Sequence, residues 1–195
     1  MPIPAFTIDG VLPPFVGPHG PGGAPEDMTP YRVSAQEVVA TFGTSARRQD
    51  ILLGWLNFRS SLRASGITRG FQWIDGSFVE KKDPKDIDVM TFFYRPPALQ
   101  DPAQRAPWMA SHGHLLNRIK VKFLFDVDSM LLDMNGSPEI LVDSTRYYGS
   151  LFSHRRGDNV WKGMLAVRLE DLADDQAALA AISPPSAIGV PGVGP

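Results

Sequence analysis

The residues best suited to chemistry lie in one run, Gly76-Ser77-Phe78-Val79-Glu80-Lys81-Lys82-Asp83-Pro84-Lys85-Asp86-Ile87-Asp88-Val89. An apolar segment, Phe71 to Ile74, leads into a Gly-Ser turn, and a second apolar segment opens with two carboxylates one residue apart. On a strand, side chains at i and i+2 share a face and lie about 6.6 Å apart along the backbone. Asp86 and Asp88 therefore point one way, while Ile87 and Val89 point into a core. Magnesium takes hard oxygen ligands, commonly one or two carboxylates together with substrate phosphates, and this pair supplies them. Gly76 allows a tight turn and close approach of a ligand to the backbone. Ser77, expected where a short helix begins, offers a hydroxyl and neighbouring amides to a phosphate. Lys81, Lys82 and Lys85 stand in the spacer, and Lys82 is the candidate phosphate contact.

Phosphoryl and nucleotidyl transfer depend on metal ions that bridge phosphate oxygens and align the attacking group. A site for two magnesium ions calls for a third carboxylate from another strand. Val121 to Met130 reads as that strand by its alternating character, with Asp126 and Asp128 on one parity. An unpaired buried carboxylate is costly, so one of them is expected to meet a cation. Asp128, which precedes the apolar run Met130-Leu131-Leu132, is the first choice and Asp126 the second. Ion pairing of both with Lys120, Lys122 or an arginine is the plainer alternative.

The elements that must position these groups follow from periodicity and caps. Ser34-Ala35-Gln36-Glu37 forms a capping box, and its helix runs through Phe42 to stop at Gly43. Thr44 or Ser45 caps a longer helix whose stripe is Ile51, Leu52, Trp55, Leu56, Arg59 and Leu62, and Gly66 closes it. Residues 67–75 and 86–94 read as strands, 102–118 as helical, 138–152 as a helix, 161–169 as a late strand and 172–182 as a terminal helix. Strands interleaved with helices predict an α+β single domain, a mixed sheet flanked by helices. Residues 1–30, dense in Pro and Gly, read as an irregular arm that a protein partner could engage; 31–182 as the domain; 183–195 as a disordered tail.

The chain has 195 residues, 43% of them apolar, which suffices for one core. A net charge of -2 argues against gripping a nucleic-acid backbone by bulk charge. The absence of cysteine excludes disulfides, thiolate nucleophiles and zinc-thiolate centres. No apolar run is long enough for a membrane span, and the first residues carry no basic and apolar leader pattern, so a cytoplasmic protein is expected. His112-Gly113-His114 and the basic cluster His154-Arg155-Arg156 read as solvated turns.

Gly76-Ser77, a short spacer and Asp86-Ile87-Asp88-Val89 together resemble the signature of the DNA polymerase β-type nucleotidyltransferase superfamily. Several further segments are similar to a small bacterial nucleotidyltransferase-like family of unassigned function: Ile3-Pro4-Ala5-Phe6, Gly10-Val11-Leu12-Pro13-Pro14, Phe42-Gly43-Thr44, Trp73 through Val79, and Lys162-Gly163. The resemblance spans about residues 3 to 170. It implies a mixed sheet flanked by helices, magnesium held by Asp86, Asp88 and Asp128 (or Asp126), a nucleoside triphosphate donor bound at Gly76 and Ser77, and a hydroxyl acceptor in a protein, RNA or small molecule. Two departures stand out. The eight-residue spacer from 78 to 85 leaves room for only a brief helix, and Asp75 replaces the usual apolar residue before Gly76. The alternative is a module that senses nucleotide or binds a partner without turnover, as in a toxin-antitoxin or defence setting.

Overall fold

A computed structural model describes residues 3–182. The expected tail, 183–195, lies outside the described residues. Among the described residues, seven α-helices and five strands build a mixed α/β domain. In chain order these are β1 (Tyr31–Arg32), α1 (Ala35–Phe42), α2 (Ala46–Ala64), β2 (Gly70–Asp75), β3 (Ile87–Phe93), α3 (Pro97–Gln100), α4 (Pro102–His112), α5 (Arg118–Phe125), β4 (Val127–Asp133), α6 (Pro138–Phe152), β5 (Leu165–Arg168) and α7 (Leu172–Ile182). The sheet order is β1-β5-β2-β3-β4. β1 and β5 are parallel, β5–β2 and β2–β3 antiparallel, and β3–β4 parallel. A parallel pair needs a long crossover, and here α3, α4 and α5 supply it.

Local chemistry explains most boundaries. Ser34 accepts from the Glu37 amide and Glu37 returns the bond to the Ser34 amide, the expected capping box. Ser45, not Thr44, caps α2 by accepting from the Arg48 amide. The anticipated stripe of α2 is buried throughout, including Arg59. That guanidinium is held by Asp175 of α7 at 2.8 Å and donates to Gln72 Oε1 at 3.0 Å, which is how a buried charge is tolerated.

The segment Val121 to Met130 is not one strand. Its first part is α5, which Asn117 caps by accepting from the Lys120 amide. Asp126 ends the helix in the left-handed region, at φ 57°, with its N–H bonded to Lys122 O. Lys-apolar alternation imitates a strand, but of the α5 residues only Val121 is buried, whereas Ile119 and Phe123 are 80% and 87% exposed. Helix capping at both ends overrides the period-2 pattern. The strand, β4, starts at Val127, so Asp126 is not on its face.

Each central strand presents two faces. Ile74, Ile87, Val89 and Val127 pack into the main core with α1, α2 and α7. On the opposite face, Phe71, Trp73, Met90, Phe92, Met130 and Leu132 form a smaller core with Tyr148, Leu151 and Phe152 of α6 and with Met164. The N-terminal arm lies against this body. Val11 and Leu12 are buried, and Gly163 donates its N–H to Leu12 O at 2.8 Å. A Cβ on Gly163 would come within 2.3 Å of Pro13 O, so this approach requires glycine. No helix among the described residues is long and apolar enough to cross a membrane.

Candidate active site

The rows that form the smaller core all end in a carboxylate: Phe71-Trp73-Asp75 on β2, Phe92-Met90-Asp88 on β3, Leu132-Met130-Asp128 on β4. Register aligns these ends, since Asp75 pairs with Asp88 and Asp88 with Asp128. Directly opposed residues share a face with Cβ atoms about 5 Å apart. Three carboxylates therefore stand side by side at one end of the sheet, and Asp86 precedes Asp88 by two residues just outside β3. Like charges this close oppose ionisation. Burial, then Asp86 and Asp128, hold the Asp88 carboxyl above the ordinary range.

The turn after β2 fits around Asp88. Gly76 has φ +75°, and a Cβ there would lie 1.8 Å from Asp88 Oδ2. The glycine thus serves both the left-handed backbone and the space beside the carboxylate. Residues Gly76–Val79 make a single 3-10 turn, as brief as the spacer requires. Its cap position is Asp75, with no side-chain cap bond, so the turn begins at Gly76 and Ser77 sits inside it, one residue past the start.

Two buried basic residues fix this turn. Lys162, 2% exposed, donates to Gly76 O at 3.0 Å and to Glu80 Oε1 at 3.3 Å, and lies 3.2 Å from Asp75 Oδ1. Its contact with Asp75 is an ion pair without hydrogen-bond alignment, and Asp75 Oδ1 has no hydrogen-bond partner. Burial outweighs the ammonium and pushes the Asp75 carboxyl up to about 7. Arg48 of α2 reaches the spacer from beneath and donates to the carbonyls of Phe78 (2.8 Å), Glu80 (2.5 Å) and Lys82 (2.9 Å). The Lys82 ammonium itself turns to Glu80 Oε2 at 2.8 Å and is otherwise exposed.

The remaining carboxylates are held by cations from α5. Arg118 forms a two-point pair with Asp128, Nη2 to Oδ2 at 2.6 Å. Lys122 donates to Asp86 Oδ2 at 2.6 Å and lies 3.0 Å from Asp126 Oδ1, and Arg47 of α2 pairs with Asp126 Oδ2 at 2.6 Å. Hydrogen bonding to Asp128 keeps the Arg118 guanidinium above its ordinary range. Burial pulls the Lys122 ammonium down, but its bonds to Asp86 and Asp126 carry it above. Asp88 forms no ion pair with any described residue; the charges of Arg156 and Lys162 relieve its field, and it acts at longer range on Arg118.

The structure thus brings together Asp86, Asp88, Asp128, Gly76 and Ser77, and turns Asp126 and Lys82 toward other partners. Asp126 belongs to the α5 cap and its two cations. Among the described residues, no group of three or more His, Asp or Glu side chains is gathered as a metal cage, and Asp86 and Asp128 reach to Lys122 and Arg118. The donor set, Asp86, Asp88 and Asp128, is all carboxylate, the ligand type that a hard divalent cation takes. Asp75, Lys162, Arg48 and Arg118 escape a reading of motifs. Asp75 and the Lys162-Gly163 pair nevertheless leave a signal in the sequence, the first as a departure and the second as a match at the far end of the resemblance.

No curated protein and no solved structure matches this chain. A family model described as "Family of unknown function (DUF6932)" matches residues 4–168, a span that takes in the arm, the carboxylate row and Lys162. The chain belongs to that family.

Proposed function

We propose that the protein is a magnesium-dependent nucleotidyltransferase that moves a nucleoside monophosphate from a nucleoside triphosphate to a hydroxyl acceptor in a protein, RNA or small molecule. The observation that carries this reading is the register of Asp88 with Asp128, with Asp86 beside them and the Gly76 turn closed around Asp88. Asp86, Asp88 and Asp128 would hold the two metal ions. Magnesium there supplies neutralisation of the triphosphate and of the leaving pyrophosphate. Gly76 and Ser77 bring backbone and hydroxyl against the phosphates, and Lys162 and Arg48 keep that turn rigid. Lys82 is near enough in sequence to meet the phosphates once it leaves Glu80. In the transfer, the acceptor hydroxyl gives its proton to Asp128 as its oxygen bonds the α-phosphorus. The bond from that phosphorus to the bridging oxygen breaks, and pyrophosphate departs with the electron pair.

Calorimetric titration with each nucleoside triphosphate, with and without magnesium, tests this. Magnesium-dependent binding by the full chain that is lost in Asp88→Asn, together with pyrophosphate release, is the expected outcome. No binding by the full chain, or equal binding by Asp88→Asn, overturns it. A second reading, a non-catalytic nucleotide-sensing or partner-binding module, is favoured by the ion pairs on Asp86 and Asp128. It requires nucleotide binding that is indifferent to magnesium and no pyrophosphate release.

A further inference from the structure

The cations around the carboxylate row fall into two kinds. Lys162 is buried and committed at the turn to two acceptors, Gly76 O and Glu80 Oε1, and to an ion pair with Asp75. Arg118 and Lys122 are different, with side chains 63% and 37% exposed, and they meet Asp128 and Asp86 from solvent. They stand four apart on α5, so both project from the same side of the helix. Their pairs touch two of the three acids proposed as metal ligands.

We propose that Arg118 and Lys122 form a two-cation latch over the site: metal ions take their place on Asp128 and Asp86, and the released pair then binds the triphosphate. This rests on the metal-site reading above and adds how loading is controlled. Exposed ion pairs contribute little to stability because solvent screens them and ordering two long side chains costs entropy, so the latch opens at small cost. A divalent cation on the same oxygens repels the guanidinium and the ammonium. Both stay tethered within one side-chain length of the site because their α5 backbones are fixed by the Asn117 cap and the Asp126 end. A planar guanidinium binds phosphate oxygens in two-point fashion as readily as carboxylate. The two roles predict effects of opposite sign, which a simple structural role does not.

The test uses Mn2+ as the metal probe, followed by electron paramagnetic resonance, and inorganic triphosphate as the phosphate probe at saturating Mn2+. Arg118→Gln, Lys122→Gln and the double variant are compared with the full wild-type chain and with Asp88→Asn. The double variant is expected to bind Mn2+ about fivefold more tightly, because a weak exposed pair no longer competes, and triphosphate at least about fivefold more weakly. Arg118→Lys should retain part of the latch. Unchanged or weaker Mn2+ binding, or unchanged triphosphate binding, in the double variant overturns the latch while Asp88-dependent Mn2+ binding by wild type stands. Failure of wild type to bind Mn2+, or binding indifferent to Asp88→Asn, overturns the metal site itself and the latch with it.

Discussion

Asp75 is the most informative place to perturb, because two physical effects compete there and the structure says which wins. Its carboxyl is 4% exposed and lies 3.2 Å from the Lys162 ammonium. Burial raises its pKa, the ammonium lowers it, and burial prevails, taking the group from 3.8 to about 7. Between those values the folded chain holds a proton that the unfolded chain has released. Stability from this group is therefore full at low pH and falls as pH rises from about 4 to about 7, after which it is constant. Each pH unit in that window is worth about 1.4 kcal/mol, so the whole amounts to about 4 kcal/mol. Asp75→Asn removes the titration and keeps the shape. Urea unfolding of both proteins, stepped from about pH 4 to about pH 8, gives the stability difference by linear extrapolation. The variant should gain on wild type by about 4 kcal/mol across the window, most steeply near its middle. A flat difference refutes the burial argument. A difference of opposite slope means that the Lys162 pair outweighs desolvation.

Two further substitutions probe the turn. Gly76→Ala places a Cβ 1.8 Å from Asp88 Oδ2 at φ +75°. It should cost more than about 1 kcal/mol in a urea melt, because the residue is strained and the carboxylate must move, and magnesium-dependent nucleotide binding should go with it; unchanged binding contradicts the fitted turn. Arg48→Met keeps the apolar packing on Phe42 and Phe78 but leaves the three spacer carbonyls without their donor. A loss of about 2–4 kcal/mol is expected from buried acceptors left unpaired, and hydrogen exchange at residues 78–82 should rise while that of α2 stays protected. Equal protection at 78–82 would show that Arg48 does not hold the spacer.

The fold was legible where the signals are local. The Ser34 box, the α2 stripe and β3 appear close to where periodicity and caps put them, and so does the Asp86-Ile87-Asp88 alternation, with Ile87 buried. α5 was not legible because Lys120-Val121-Lys122-Phe123 satisfies the strand period, while the evidence for a helix sits in its two ends, Asn117 and Asp126. Asp126 makes the plain ion pairs, with Lys122 and Arg47, at the end of α5 and off the face of β4. For Asp128 both ideas apply, since it stands in the carboxylate row and also pairs with Arg118. Lys162 and Arg48 were invisible as site residues because their acceptors lie 82 and 86, and 30 to 34, positions away. Only sheet register and helix docking bring such groups together.

Neutralisation of the row is uneven, and the unevenness carries meaning. Asp75 has a buried lysine that cannot leave without stranding the Gly76 carbonyl and one oxygen of Glu80. Asp128 has an arginine at the surface, and Asp86 a half-exposed lysine. Asp88, in the middle, has neither, and burial, then its like-charged neighbours, raise its pKa. If the row existed for stability alone, the central position would be the easiest to make apolar, since Met90 and Phe92 already continue that face of β3 into the smaller core. A carboxylate kept there at a cost, with a glycine opposite it whose Cβ would collide with it, is the arrangement expected of a binding position whose charge is completed by something from solution. Perturbed carboxylates of this kind cluster at sites of function, and here two of them, Asp75 and Asp88, stand next to each other in the row.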